Sequence, residues 1–177
     1  MADEGDVLTD LDMDPVPNGE DTAPVAGIIS QYVKDLSVEN PNAPDSFQWS
    51  EKPHIDLQFN IGAREVSDEI QEVELKINVT SKTEQGNVFL VELAYCGLLG
   101  MRNMPDDRKH AFMFAEAPRL LFPFARSIIA DATRDAGFAP LMLDPVDFNG
   151  LYMQQLQQKA EQEAAAGGGA DAPAGEA

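Results

Sequence analysis

Metal, disulfide and redox chemistry have little to work with in this chain of 177 residues, which carries one cysteine, Cys96, and two histidines, His54 and His110. A lone cysteine excludes an intramolecular disulfide and a Cys-rich metal cluster. Cys96 lies in the run Val91-Glu92-Leu93-Ala94-Tyr95-Cys96-Gly97, where a free thiol packs as a small hydrophobe. Basic residues are also scarce: 12 Lys and Arg stand against 31 Asp and Glu, a net charge of -19. That sign repels phosphate backbones and anionic membrane surfaces, so nucleic acid is excluded as a partner and a basic protein surface is favoured. No apolar run reaches the roughly 18 residues of a membrane span. The acidic start, Met1 to Asp6, lacks the basic region and apolar core of a secretory signal. The expectation is a cytoplasmic protein with no direct membrane insertion.

Catalytic motifs are missing too. There is no Gly-x-Ser-x-Gly elbow, P-loop or dinucleotide fingerprint, and Gly97-Leu98-Leu99-Gly100 is too sparse to cradle phosphate. His54 falls on the polar face of an alternating segment, and His110 follows Arg108-Lys109. Neither has the company of ligands that a metal site requires. The pairs Asp68-Glu69 and Asp106-Asp107 read as solvated turns. No catalytic residue, metal ligand or cofactor is expected.

Both ends differ in composition from the middle. Residues 1–27 contain eight acids and no Lys or Arg, with Pro15, Pro17, Gly19 and Pro24 breaking any helix. Residues 160–177 are rich in Ala, Gly and Glu. Neither segment can bury enough apolar surface to offset its ordering entropy, so both read as disordered tails. All twelve basic residues fall within 28–159, against nineteen acids there, so the single folded domain is only moderately acidic.

Within it strands come first. Tyr32 to Glu39 is a short strand stopped by Pro41-Asn42-Ala43-Pro44. Ile55, Leu57, Phe59 and Ile61 alternate with polar residues, as do Val73, Leu75, Ile77 and Val79, which indicates antiparallel sheet with one dry face. Glu84-Gln85-Gly86-Asn87 makes the next turn. Val88 to Tyr95 is apolar on both faces except at Glu92. One face can take helices; the other calls for a second copy of the chain, which predicts a homo-oligomer.

The period then changes. Asp106 to Ala117 reads as helical, and Pro118 opens a further helix with Leu120, Leu121, Phe124, Ile128, Ile129 and Ala132 at helical spacing up to Gly137. After Pro140 to Pro145, Asp147 is an N-cap. Phe148, Leu151, Tyr152 and Leu156 form a stripe behind it, with Gln154, Gln155, Gln157 and Gln158 toward water. Strands followed by helices give an α+β fold. Met101 and Met104 lie in a loop-like stretch, and Phe47 and Trp49 sit in the polar, Pro-bounded segment 41–53. Such side chains suit either covers over the core or surfaces that repack around varied apolar partners.

Three segments carry a resemblance. Tyr32-Val33-Lys34-Asp35-Leu36-Ser37-Val38-Glu39-Asn40-Pro41-Asn42-Ala43-Pro44 is similar to the first strand and turn of the SecB family. Leu120-Leu121-Phe122-Pro123-Phe124-Ala125-Arg126 resembles its Leu-Phe-Pro-aromatic-Ala-Arg signature. Pro140 to Phe148, followed by Leu151-Tyr152-Met153 and Gln154 to Gln158, resembles its last turn and helix. The order and spacing are the family's, from about Ile29 to Lys159, although Trp49 stands earlier than the family's Trp and residues 101–117 match poorly. The resemblance implies a four-stranded antiparallel sheet with helices on one side, assembled as a homotetramer, a dimer of dimers. It implies an ATP-independent holdase that binds unfolded precursor proteins and delivers them to the SecA translocation ATPase. Carried over by position, the SecA-binding residues are Asp35, Glu39, Leu90 and Glu92, three carboxylates around one apolar contact. The client-binding groove takes Phe47, Leu57, Phe122, Phe124, Phe148, Tyr152 and Met153. Competing readings are a general stress or antitoxin holdase of the same fold, an enzyme with a site made by oligomerisation, and an acidic adaptor for folded partners.

Overall fold

The computed structural model describes residues 23–167. Four strands, β1 (Val25–Glu39), β2 (His54–Ser67), β3 (Ile70–Thr83) and β4 (Gly86–Arg102), precede the helices. These are α1 (Asp106–Ala111), a π-helical turn (Phe112–Glu116), α2 (Ala117–Asp135) and α3 (Phe148–Gly167). The strands form one antiparallel sheet in the order β1-β4-β3-β2. Two-residue turns join β2 to β3 and β3 to β4, while residues 40–53 cross from one edge to the other.

Two expected boundaries move. The tail boundary at residue 27 falls inside β1, and the one at 160 falls inside α3. The remaining tail residues, 1–22 and 168–177, lie outside the described residues. β1 runs longer than Tyr32–Glu39 because β4 offers it a ladder partner as far as Val25↔Arg102. Register shifts between Ile28 and Ser30 and between Val33 and Asp35 break the two-residue period, which hides the strand from pattern reading. Met101 is likewise no loop residue: it lies within β4, is buried, and its N–H donates to the Glu69 carbonyl at 2.8 Å.

Period-two alternation gives the sheet two chemically different faces. On the dry face Val73, Leu75, Ile77 and Val79 of β3 and Val91, Leu93 and Leu99 of β4 are fully buried. They meet Leu121, Phe122, Ala125 and Ile129 of α2. Gly97 permits that approach, since a Cβ there would lie 3.0 Å from Leu121 Cδ2. The expected stripe of α2 is corrected at Phe124, which is 50% exposed while Phe122 and Ala125 face the sheet; the sheet selects the row that can sit closest to Gly97. In the last turn of α2, Thr133 is fully buried. Its hydroxyl oxygen, 3.0 Å from the Ile129 carbonyl, accepts the Leu141 N–H at 2.9 Å, which turns the chain back toward α3.

The crossover folds down as a cover. Asn40 Nδ2 donates to the Ala136 carbonyl at 3.0 Å, and Asn42 Nδ2 to the Asn87 carbonyl at 2.9 Å. Trp49 packs against the core, and Phe47 lies on Phe138 with centroids 5.2 Å apart.

On the open face the buried carboxylate of Glu72 gathers groups from both edge strands. Lys34 Nζ of β1 lies 2.7 Å away, Arg64 of β2 donates at 3.0 Å, and the Tyr32 hydroxyl of β1 donates as well. The hydrogen bond from Lys34, with those of Tyr32 and Arg64, holds the Glu72 carboxyl down at about 2, and the same contact lifts Tyr32 to about 12. Nearby, Cys96 and Ala94 are buried within the single chain, so this part of the face of β4 needs no second copy to cover it. Burial, ahead of the nearby carboxylates, raises the Cys96 thiol to about 11, which leaves it a poor nucleophile.

Because the Glu72 carboxyl is held below its ordinary value of 4.5, its contribution to stability is complete above that pH and vanishes as pH falls toward 2. Glu72→Gln is expected to lose about 1–2 kcal/mol at neutral pH. Urea unfolding of variant and parent should converge as pH drops from 4.5 to 2; parallel curves would show that the cluster does not titrate as described.

Candidate functional site

Asp147 fixes the start of α3. Its carboxylate accepts the Gly150 N–H at 3.0 Å and its carbonyl accepts the Leu151 N–H at 3.1 Å, the arrangement of an N-cap. Phe148 then plugs the helix into the core. It is 2% exposed and meets Phe122 and Phe59 edge-on, with centroids 5.6 Å and 6.1 Å apart. From Leu151 to Ala165 α3 stands clear of the core except at Tyr152, which is half-buried.

A groove of about 520 Å³ opens between α3 and the outer strand β2. Phe59, Asn60 and Ile61 form one wall, Phe114 and Phe148 the floor, and Leu151, Tyr152, Gln154, Gln155 and Gln158 the other wall. None of these residues is charged, in a chain with a net charge of -19. An apolar floor with neutral amides along the rim suits an uncharged polypeptide segment, whose backbone brings donors and acceptors but no charge. His110 braces the wall: its Nδ1 lies 2.8 Å from the Tyr152 hydroxyl, and its ring stacks on Phe114 at 4.6 Å. Among the described residues no group of three His, Cys, Asp or Glu could hold a metal ion.

The seven residues expected to line a client groove are only partly brought together. Phe148 and Tyr152 do line this groove. Phe122 is buried beneath it, and Leu57 continues the same face of β2 as Phe59 and Ile61 toward the crossover. Met153 lies on the opposite flank of α3, Phe124 points outward from α2, and Phe47 sits on the crossover beside Phe138. The apolar lining residues left out of that expectation are Phe59, Ile61, Phe114 and Leu151. The alternation of β2 and the stripe of α3 marked three of them as apolar, but neither pattern tells which apolar residue stops short of the core.

The four acidic-surface residues are brought together. Asp35, Glu39, Leu90 and Glu92 lie on the open face of β1 and β4, where Glu39 pairs with Leu90 and Ser37 with Glu92. The three carboxylates are exposed and Leu90 is half-buried. Asp56 of β2 joins the row of Glu39, Leu90 and Thr80 across all four strands. The groove and the acidic row thus use opposite faces of one sheet. No helix among the described residues is long and apolar enough to cross a membrane.

Comparison with known proteins places this geometry among relatives. The family model described as preprotein translocase subunit SecB matches residues 19–159. The protein-export protein SecB of Erythrobacter litoralis is 67% identical over the full length of both chains. That of Novosphingobium aromaticivorans is 68% identical over 89% of this chain and 92% of its own. Among solved structures, a SecB-like chaperone of Mycobacterium tuberculosis, in complex with a ChAD peptide from an antitoxin, aligns with a TM-score of 0.59 at 16% identity. That alignment covers 68% of this chain and 90% of the other, and it shows likeness of fold.

Leu151 lines the groove yet is 41% exposed, so a charge there can alter binding without opening the core. Leu151→Asp is expected to weaken binding of a leucine-rich probe peptide about tenfold, roughly the cost of withdrawing one large apolar side chain, with an unchanged urea midpoint. Unaltered affinity, measured by fluorescence anisotropy, would place the peptide elsewhere.

Proposed function

The chain belongs to the SecB family of preprotein translocase subunits, and from that premise we propose that it is an ATP-independent holdase for unfolded precursor proteins. The observation that carries the reading is the charge-free groove between β2 and α3. An unfolded client exposes apolar segments, and burying them there yields roughly 25 cal/mol per Å² before the costs of association. A folded protein hides those segments and is passed over. Binding needs no cofactor and no nucleotide, and the work is done in the cytoplasm, before export.

Delivery uses the other face of the sheet. Asp35, Glu39 and Glu92 share an exposed face with Leu90 that suits a basic partner with one apolar contact, and this is the surface proposed to meet the SecA ATPase. Because groove and acidic row lie on opposite faces, client and motor can be held at once. Assembly as a homotetramer, a dimer of dimers, gives a long client several grooves and multiplies weak contacts into useful affinity. A holdase of the same fold with a stress or antitoxin duty would share the groove without needing the acidic row.

Refolding of a slowly folding secretory precursor tests the first half. Arrest at roughly stoichiometric protein without nucleotide, with no effect on the folded precursor, is expected, and unhindered refolding would sink the holdase reading. The double variant Asp35→Lys, Glu92→Lys should weaken SecA binding at least tenfold, as expected for reversed charges at an interface, while refolding arrest persists. Loss of both activities together would mean that the two surfaces are not separate.

A further inference from the structure

We propose that the open face of the sheet, at the end away from the acidic row, holds a docking site for the chain's own N-terminal segment, residues 9–14. Gly27 of β1, Gly100 of β4 and Ile70 of β3 pair in one row across three strands. On β4, Gly100 shares its face with Glu92, about 27 Å farther along the strand. The two glycines floor a recess of about 370 Å³, with Val25, Ile29 and Ile70 as its walls. The register shift between Ile28 and Ser30 takes Ile29 out of the ladder and turns it over Gly100, where an added Cβ would lie 3.2 Å from Ile29 Cδ1. Ile29 is 61% exposed and Val25 46%, so the recess is an apolar opening on the face that carries the Glu72 cluster. A Cβ at Gly27 would meet nothing within 4 Å, which leaves room for side chains above the strand.

Position and pattern select the occupant. The chain approaches β1 at Ala23, whose carbonyl accepts from Asn103 Nδ2 at 3.4 Å, close to the recess wall at Val25. The 22 residues before it carry eight carboxylates and no Lys or Arg. Within them Thr9-Asp10-Leu11-Asp12-Met13-Asp14 alternates strictly. An extended segment of that pattern turns Leu11 and Met13 to one side and three carboxylates to the other. Alone it buries too little apolar surface to order itself. Seated in the recess, it covers Val25 and Ile29 with its apolar side and keeps its acids in water. Asn18-Gly19 supplies the reversal that brings it back. The chain from Met13 to Ala23 reaches about 33 Å when extended, while Val25 to Ile29 spans only about 13 Å. A tether that short holds the segment at roughly millimolar effective concentration, an advantage that a free peptide or a second copy lacks. Of the charges at the rim, Arg102 attracts the segment and Glu69 repels it, so apolar contact decides the docking. With the segment in place, the open face presents carboxylates at both ends and no apolar opening.

Photocrosslinking on the full-length protein locates the segment. A photoreactive phenylalanine in place of Leu11 should crosslink within its own chain to residues 25–29, 69–70 or 100–102. Crosslinks confined to the groove beside β2 would make the segment an internal occupant of that groove, and crosslinks between isotopically heavy and light protomers would make the recess a contact between copies; either result overturns the proposal. Gly27→Val fills the recess where an added Cβ meets nothing, so it should leave the urea midpoint unchanged and release the segment. Cleavage at Asp10 and Asp12 by an aspartate-specific protease should then speed up about tenfold, the protection that a weak contact gains from its tether. The double variant Leu11→Ser, Met13→Ser lies outside the folded domain and should show the same rise, each rate being taken relative to that of the matching free peptide. Equal rates in the parent and the double variant overturn the docking whatever crosslinks form.

Discussion

The close seating of α2 on β4 is the contact on which the rest of the molecule depends. Gly97 leaves room for Leu121, since a Cβ there would press to 3.0 Å from its Cδ2 and force it to shift. With the helix at that depth, Phe122, Ala125 and Ile129 fall onto Val91, Leu93 and the β3 row. Close packing of this kind tolerates little movement, so the position of α2 in turn sets where Phe122 meets Phe148, and hence where α3 begins. The groove beside β2 is a consequence of that seating, since α3 is launched from an anchored Phe148 and then departs from the sheet.

The open face is organised by a different force. Period-two alternation sends the polar residues of all four strands to one side, and the Glu72 cluster ties β1 and β2, the two outer strands, to β3 between them. Lys34 and Arg64 reach a carboxylate that is itself buried, and this pairing lets a charge sit on the sheet without a lasting desolvation penalty. Farther along the same face the carboxylates of Asp35, Glu39 and Glu92 stay exposed. One end of the face is therefore internally neutralised and the other is left acidic, which concentrates the field where a basic partner would approach.

α3 differs from the other long elements in how it is held. Capping at Asp147, burial of Phe148 and the contact of Tyr152 with His110 secure its first turns, while Leu151, Met153 and Leu156 remain exposed. In a stable core these side chains would be covered. Left uncovered, they give α3 an exposed apolar strip.

The order of strands and helices, the alternation of β2 and β3 and the Asp147 cap were all legible in the sequence, because each rests on local period or on chemistry carried by adjacent residues. So was membership of the family, carried by Tyr32–Pro44, Leu120–Arg126 and Pro140–Gln158. The early start of β1, the burial of Met101 and the outward turn of Phe124 were decided by tertiary structure alone. The first needed the ladder of β4, the second the turn carbonyl of Glu69, and the third the space over Gly97. The groove belongs with these. Phe59, Leu151 and Phe148 are equally apolar as letters, and only the angle at which α3 leaves the core separates the one that fills it from those that line an opening.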